Sequence, residues 1–362
     1  MRKKWLIPAL KYLVGIAVLA IVVIRHWEPE GEDGVGLKSA LTRSNRWEFF
    51  VLSGMCLATC TALTFVRWYW LVRAQDLPFT LRDAFRLGLV GYFFNTLLPG
   101  SVGGDLLKAA FLAREQQRRT VAISTILIDR GVGLWGLIAL MAAGGGGMWL
   151  RDGPAVVDHA GMSRAVRAAL TFMALTGAVW LFLGVLPERR AQRFKQRLLW
   201  IPKLGSVLAE FWLAVWLYRR RGHAVLGGLA MSMFGHVFTV LAFFFAALAF
   251  QPRHETPHLP SLADHFIFVP AGMAFQGFFP SPGGIGGGEF IFGLMYARLG
   301  VPAANGIWGS FGFRMNTWAL GFLGYLVYLM MKRDIQRAVV VASGDTSMNS
   351  KLPEVASSTT QV

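Results

Sequence analysis

Two carboxylates in this 362-residue chain stand in the same setting. Asp105 follows Gly103 and Gly104, and Glu289 follows Gly287 and Gly288. Arg114 and Arg130 lie 9 and 25 residues beyond Asp105, and Arg298 and Arg314 lie at the same two distances beyond Glu289. One offset of 184 superimposes the five residues of the first set on those of the second, which reads as an internal duplication. Glycines at a helix start leave backbone N–H groups that can face an anion, and an arginine adds a guanidinium for it. A carboxylate there can instead cap the helix by accepting those same N–H bonds. The chemistry on offer is anion recognition or ion pairing. No Walker motif, nucleophile elbow or H-E-x-x-H occurs, and the glycines at 283–288 do not complete G-x-G-x-x-G.

The surrounding sequence says where that chemistry takes place. Hydrophobic residues make up 54% of the chain and charged residues 15%, with a mean hydropathy of +0.48. Several apolar stretches are long enough to span a bilayer, so the expected class is an all-α polytopic membrane protein. The net charge of +16 comes from Lys and Arg gathered in short connections and at both ends, the pattern of loops held on the cytoplasmic side. No basic stripe carries interleaved aromatics, so nucleic acid is not an expected partner. Cys56 and Cys60, four apart in one apolar stretch, read as packing residues.

Hydropathy predicts full spans at 5–24, 48–72, 121–150, 165–186, 224–250 and 303–331. Residues 84–113 and 266–300 differ: each is broken by Pro and Gly into halves too short to cross, and each is flanked by loops on one side. These read as re-entrant hairpins, giving six spans plus two hairpins, or up to eight transmembrane helices by a coarser count. Residues 25–46 form an outer loop. Arg67-Trp-Tyr-Trp70 reads as an interfacial belt with a snorkelling arginine. The basic stretch 188–221, with an amphipathic helix over Leu204–Tyr218, reads as a cytoplasmic surface segment. The transmembrane domain is expected over 1–333, followed by a disordered cytoplasmic tail at 334–362, with both termini cytoplasmic. Repeat units at about 48–150 and 224–331 would start on opposite sides. That is the inverted-repeat architecture of many secondary transporters, whose sites lie where broken helices meet.

Arg130 and Arg314 fall about ten residues into their spans, roughly 15 Å deep, too deep to snorkel. Each must pair with Asp105, Asp129 or Glu289, or face a bound headgroup, and the two roles are compatible in different states. His236 reads as a hydrogen-bonded packing residue. The loop at 252–264 holds His254, Glu255, His258 and Asp264 without ligand spacing, so no metal is expected.

Asn95-Thr-Leu-Leu-Pro-Gly-Ser-Val-Gly-Gly-Asp105, with Arg114 and Asp129-Arg130, resembles the first motif of the lysylphosphatidylglycerol synthase transmembrane family of flippase-like membrane proteins. Pro280-Ser-Pro-Gly-Gly-Ile-Gly-Gly-Gly-Glu289, with Leu299-Gly-Val301 and Arg314, is similar to its second motif. The resemblance covers roughly 5–333. It implies a bacterial-type inner-membrane protein that translocates or binds an anionic lipid or lipid-linked sugar. The alternative is a non-transporting partner of a glycosyltransferase or lipid synthase; a membrane enzyme acting on a lipid phosphate is a third reading. In larger relatives this region is fused to a lysyl-transferase domain. Nothing but a short tail follows Arg333, so synthase activity is not carried over, and neither an enzyme nor a cofactor is expected. The candidate site comprises Asn95, Gly103, Gly104, Asp105, Arg130, Gly287, Gly288, Glu289 and Arg314.

Overall fold

A computed structural model describes residues 3–28, 36–42, 45–98, 103–115, 119–152, 162–202, 221–254 and 256–343, with scattered positions between 205 and 218. The described residues form helices and no β-strand. In chain order these are α1 (Lys3–Arg25), α2 (Leu37–Thr42), α3 (Trp47–Arg73), α4 (Leu81–Leu97), α5 (Gly103–Glu115) and α6 (Arg119–Asp152). Then follow α7 (Met162–Val185), α8 (Glu188–Leu199), α9 (Gly222–Ala249), α10 (Leu262–Phe278), α11 (Gly287–Arg298) and α12 (Ala303–Ser343).

Four of them, α3, α6, α7 and α9, are long and apolar enough to cross a membrane by length and composition. The other two expected spans, 5–24 and 303–331, fall within α1 and α12, and α12 continues past 333 to Ser343. Much apolar surface faces outward: on α7 alone, Leu175, Leu181, Phe182 and Val185 are exposed. Continuous apolar surface of that kind is a hazard in water and ordinary in lipid.

Among the described residues, two packed clusters are larger than the rest. Phe243 of α9, Phe268 of α10, and Phe292 and Tyr296 of α11 form one, joined by Met141 of α6 and Val166 of α7. Trp68 of α3, Leu87 and Val90 of α4, Leu112 of α5 and Ile126 of α6 form the other. Each cluster takes in one helical pair, α10–α11 in the first and α4–α5 in the second. The widest helix–helix contact, α3 against α9, lies between them.

Local chemistry sets the ends of these pairs. Thr80 caps α4 by accepting from the Asp83 N–H at 3.2 Å, and Ser261 and Asp264 cap α10 reciprocally. Both helices stop before a proline, since the preceding residue is driven to extended backbone. Leu98 (ψ 141°) precedes Pro99, and Phe279 (ψ 131°) precedes Pro280.

Three local expectations change. Arg67 is not a snorkelling anchor: it is buried and bonds Asp129 of α6, while Trp68 beside it lies in the core and only Trp70 is exposed. The 25–46 loop contains α2, whose Leu37 and Ala40 are buried, and Trp308 Nε1 donates to the Leu37 carbonyl at 3.2 Å. In 188–221 a basic helix, α8, precedes the expected amphipathic one; the described positions from 205 to 218 are also helical, and the Phe194 and Trp212 rings pack at a tilt with centroids 4.7 Å apart.

Candidate functional site

Gly103 and Gly287 are the first residues of α5 and α11, so the offset of 184 holds at the helix starts. The carboxylates follow at the third position of each helix. The tip before α11 is a turn with positive φ at Gly283, Gly284 and Gly286. This conformation is open to glycine and strained for other residues. It turns the Gly283 and Gly284 carbonyls toward Arg314, whose Nη1 and Nη2 donate to them at 2.8 and 3.2 Å.

The same guanidinium grips Glu289 with two bonds, Nε to Oε1 at 2.8 Å and Nη2 to Oε2 at 3.0 Å. Glu289 Oε2 also accepts the Gly286 N–H at 2.8 Å, so this carboxylate both caps its helix and holds the arginine. Ser310 adds a longer hydroxyl contact to Oε1, and Gln276 donates to the Gly283 carbonyl at 2.9 Å. The side chains of Glu289 and Arg314 are 1% and 6% exposed. Gly288 lies against Gln276 and Arg314, and Gly287 against the Phe279 ring.

The upstream counterpart is looser. Arg130 Nε donates to Asp105 Oδ2 at 2.6 Å, but the arginine side chain is 49% exposed and the aspartate 15%. Lys108, one turn along α5, stands 3.9 Å from the other carboxylate oxygen, Oδ1, which is buried without a hydrogen-bond partner among the described residues. The Lys108 ammonium lies over the Trp68 ring, 4.9 Å from its centroid. Asn95 Oδ1 accepts the Gly104 N–H at 2.8 Å, satisfying an early amide of α5 from across the pair. Gly104 packs so tightly on α4 that a Cβ there would meet the Gly91 carbonyl oxygen at 1.9 Å. Gly103 lies against Leu98. The tip itself, 99–102, and the Arg114 side chain lie outside the described residues.

The two tips adjoin. A Cβ on Gly283 would stand 3.2 Å from the Thr96 carbonyl at the end of α4. Helix α1 passes over both: Tyr12 donates to the Leu97 carbonyl at 2.6 Å, and Gly15 packs on Ser281 and Ile285. Helices α4 and α5 also pack along α12, which carries Arg314.

Sequence reasoning missed the neighbouring polar cluster. Arg67 Nε donates to Asp129 Oδ1 at 2.8 Å, and its Nη1 donates to Ser232 Oγ at 3.0 Å. His236 bonds the Gly133 carbonyl through Nε2 at 2.9 Å. An acid beside Arg130 in an apolar span was the available signal, because a buried acid requires a cation on another helix. Lys108 was also visible, at the i+3 position from Asp105.

The arrangement offers two guanidinium–carboxylate pairs at adjoining helix starts, one sealed and one half open. An anion can enter such a pair by exchanging with the carboxylate, and the half-open pair is the one where exchange disturbs least. Neither the curated proteins nor the solved structures provide a significant match to the chain. A family model described as lysylphosphatidylglycerol synthase TM region matches residues 10–324 of the 362. With most of its length matched, including both carboxylate–arginine sets, the chain belongs to the lysylphosphatidylglycerol synthase transmembrane-region family.

Proposed function

We propose that the protein moves an anionic lipid or lipid-linked saccharide between membrane leaflets, binding its headgroup at the tips of α4–α5 and α10–α11. Family membership supports a role in membrane-lipid biology. In this reading α4–α5 and α10–α11 are re-entrant hairpins entering from opposite sides, and units 48–150 and 224–331 are inverted repeats within a domain spanning 1–333. Both termini lie in the cytoplasm and the membrane is a bacterial-type inner membrane. The equal 25-residue separations and the matching helix starts support the repeat.

The observation that carries the reading is the inequality of the two pairs. Glu289–Arg314 fixes one tip with every strong bond made internally, whereas Arg130 keeps half its side chain exposed beside Lys108 and Asp105. A phosphate approaching Arg130 gains charge-assisted hydrogen bonds, and Lys108 continues to balance Asp105 while it is bound. Acyl or prenyl chains remain in the bilayer, so only the headgroup needs a polar route. Rocking of one unit against the other would expose Arg130 to alternate sides.

The test is protein-dependent movement of labelled anionic lipids in reconstituted vesicles, lost in Arg130→Gln. A second reading draws on the sealed Glu289–Arg314 pair, which suits a static membrane subunit positioning a glycosyltransferase or lipid synthase. That reading expects a co-purifying enzyme and no lipid movement by the isolated protein.

A further inference from the structure

Away from the tips, α7, α10 and α11 enclose a crevice of about 190 Å³. Its walls are apolar, with Met162 and Ala165 from α7, Ile267 and Ala271 from α10, and Ile291 and Met295 from α11. The single charge on the lining is Arg298, in the last turn of α11. A dry apolar cavity of about 150 Å³ holds a benzene molecule, so this crevice has room for a segment of hydrocarbon chain. Helix α7, its outer wall, is the least buried of the four membrane-crossing candidates, which leaves the crevice beside the lipid phase.

The charge of the lining lies at one end. Met162 and Ala165 begin α7, Ile267 lies early in α10, and Arg298 ends α11, so these helix ends gather at one mouth. Arg164 and Arg167 lie on the opening turns of α7, and with Arg298 all three are exposed. Arg164 and Arg298 have no hydrogen bond or ion pair among the described residues, and Arg167 reaches only Ser163 at 3.4 Å. Among the described residues near this end, Asp264 is engaged through Oδ2 with the Ser261 N–H and hydroxyl at 3.0 and 2.7 Å. Snorkelling to water explains an isolated arginine at a helix end. It does not explain an apolar slot, with room for a segment of hydrocarbon chain, lined by one.

We propose that this crevice binds an anionic glycerophospholipid, with a segment of one acyl chain between α7, α10 and α11 and the phosphate on Arg298 at the mouth. Its charged mouth is separate from the hairpin tips: Arg298 lies nine residues beyond Glu289, about 14 Å along the axis, although the inner wall reaches Ile291. Its occupancy does not require that the protein move lipid.

The full-length protein in mild detergent is titrated with dioleoylphosphatidylglycerol, and bound lipid is counted by native mass spectrometry. Dioleoylphosphatidylcholine and glycerol 3-phosphate serve as comparison probes. One tightly held phosphatidylglycerol per chain is expected to persist in Arg130→Gln, which removes the tip arginine, and to be weakened about ten-fold or more by Arg298→Gln, an exposed position where folding is undisturbed. Ala271→Phe, which fills the slot, is expected to remove the same lipid. The proposal is overturned if Arg298→Gln leaves phosphatidylglycerol binding unchanged, or if phosphatidylcholine binds as tightly. Competition by glycerol 3-phosphate as strong as by the intact lipid also overturns it, because the slot would then contribute nothing.

Discussion

Arg130 and Asp105 form, 2.6 Å apart and half in the open, the same pair that Arg314 and Glu289 form in the sealed interior. The separation along the chain is 25 residues in both cases, but the surroundings divide the roles. Arg314 has two glycine carbonyls and both carboxylate oxygens around its guanidinium. At Asp105, Oδ1 relies on Lys108 at 3.9 Å. Replacing Arg130 by Gln is therefore expected to lower stability by no more than about 1 kcal/mol, in line with an exposed ion pair. Thermal unfolding followed by tryptophan fluorescence in detergent checks this, and a loss comparable to that at Arg314 would contradict it.

Removing Arg314 strands a buried carboxylate and releases the carbonyls of the glycine turn. Arg314→Gln is expected to destabilise by about 3–5 kcal/mol, and the double variant Glu289→Gln, Arg314→Gln to recover part of that loss. If the single and double variants unfold together with the wild type, Arg314 does not hold the tip.

Gly104→Ala places a methyl group 1.9 Å from the Gly91 carbonyl, where no flexible side chain can give way. The α4–α5 pair must then separate, breaking the Asn95 bond to the Gly104 N–H. Overpacking of this kind costs about 1–3 kcal/mol. The readouts are a lowered unfolding temperature and reactivity of a cysteine introduced at Leu98.

The Arg67–Asp129 pair offers a separate check on the core. Arg67→Met alone leaves Asp129 buried and uncompensated, so it is expected to impair folded yield severely. Arg67→Met with Asp129→Leu exchanges the pair for apolar contacts and is expected to restore the yield. Size-exclusion profiles of the two variants decide the point, and equal behaviour would show that Arg67 faces water or headgroups after all.

Much of the fold was legible because membrane helices announce themselves by length and composition, and because proline ends helices. Pro99 and Pro280 marked the ends of α4 and α10, and the glycine–carboxylate motifs marked α5 and α11 to within two residues. The pairing of each arginine with its carboxylate was open among three acids, since separation along the chain does not say which helices touch. Arg67 was misread because Trp-Tyr-Trp imitates an interfacial belt; its partner lies 62 residues away on α6. The inequality of the two pairs was not legible either. It depends on carbonyls turned by positive φ at Gly283 and Gly284, and on Gln276 and Ser310 arriving from other helices.

The central claim is that Arg130, beside Lys108 and Asp105, meets a headgroup that crosses the membrane. Its most direct test is the movement of labelled phosphatidylglycerol, with a panel of anionic and lipid-linked sugar probes, in vesicles containing wild-type protein or Arg130→Gln at equal folded amounts. The account predicts protein-dependent movement of at least one anionic lipid, reduced ten-fold or more in the variant, as expected for loss of a charge-assisted hydrogen bond of about 1.5–3 kcal/mol. No movement with the wild type, or equal rates for the two proteins, would contradict it.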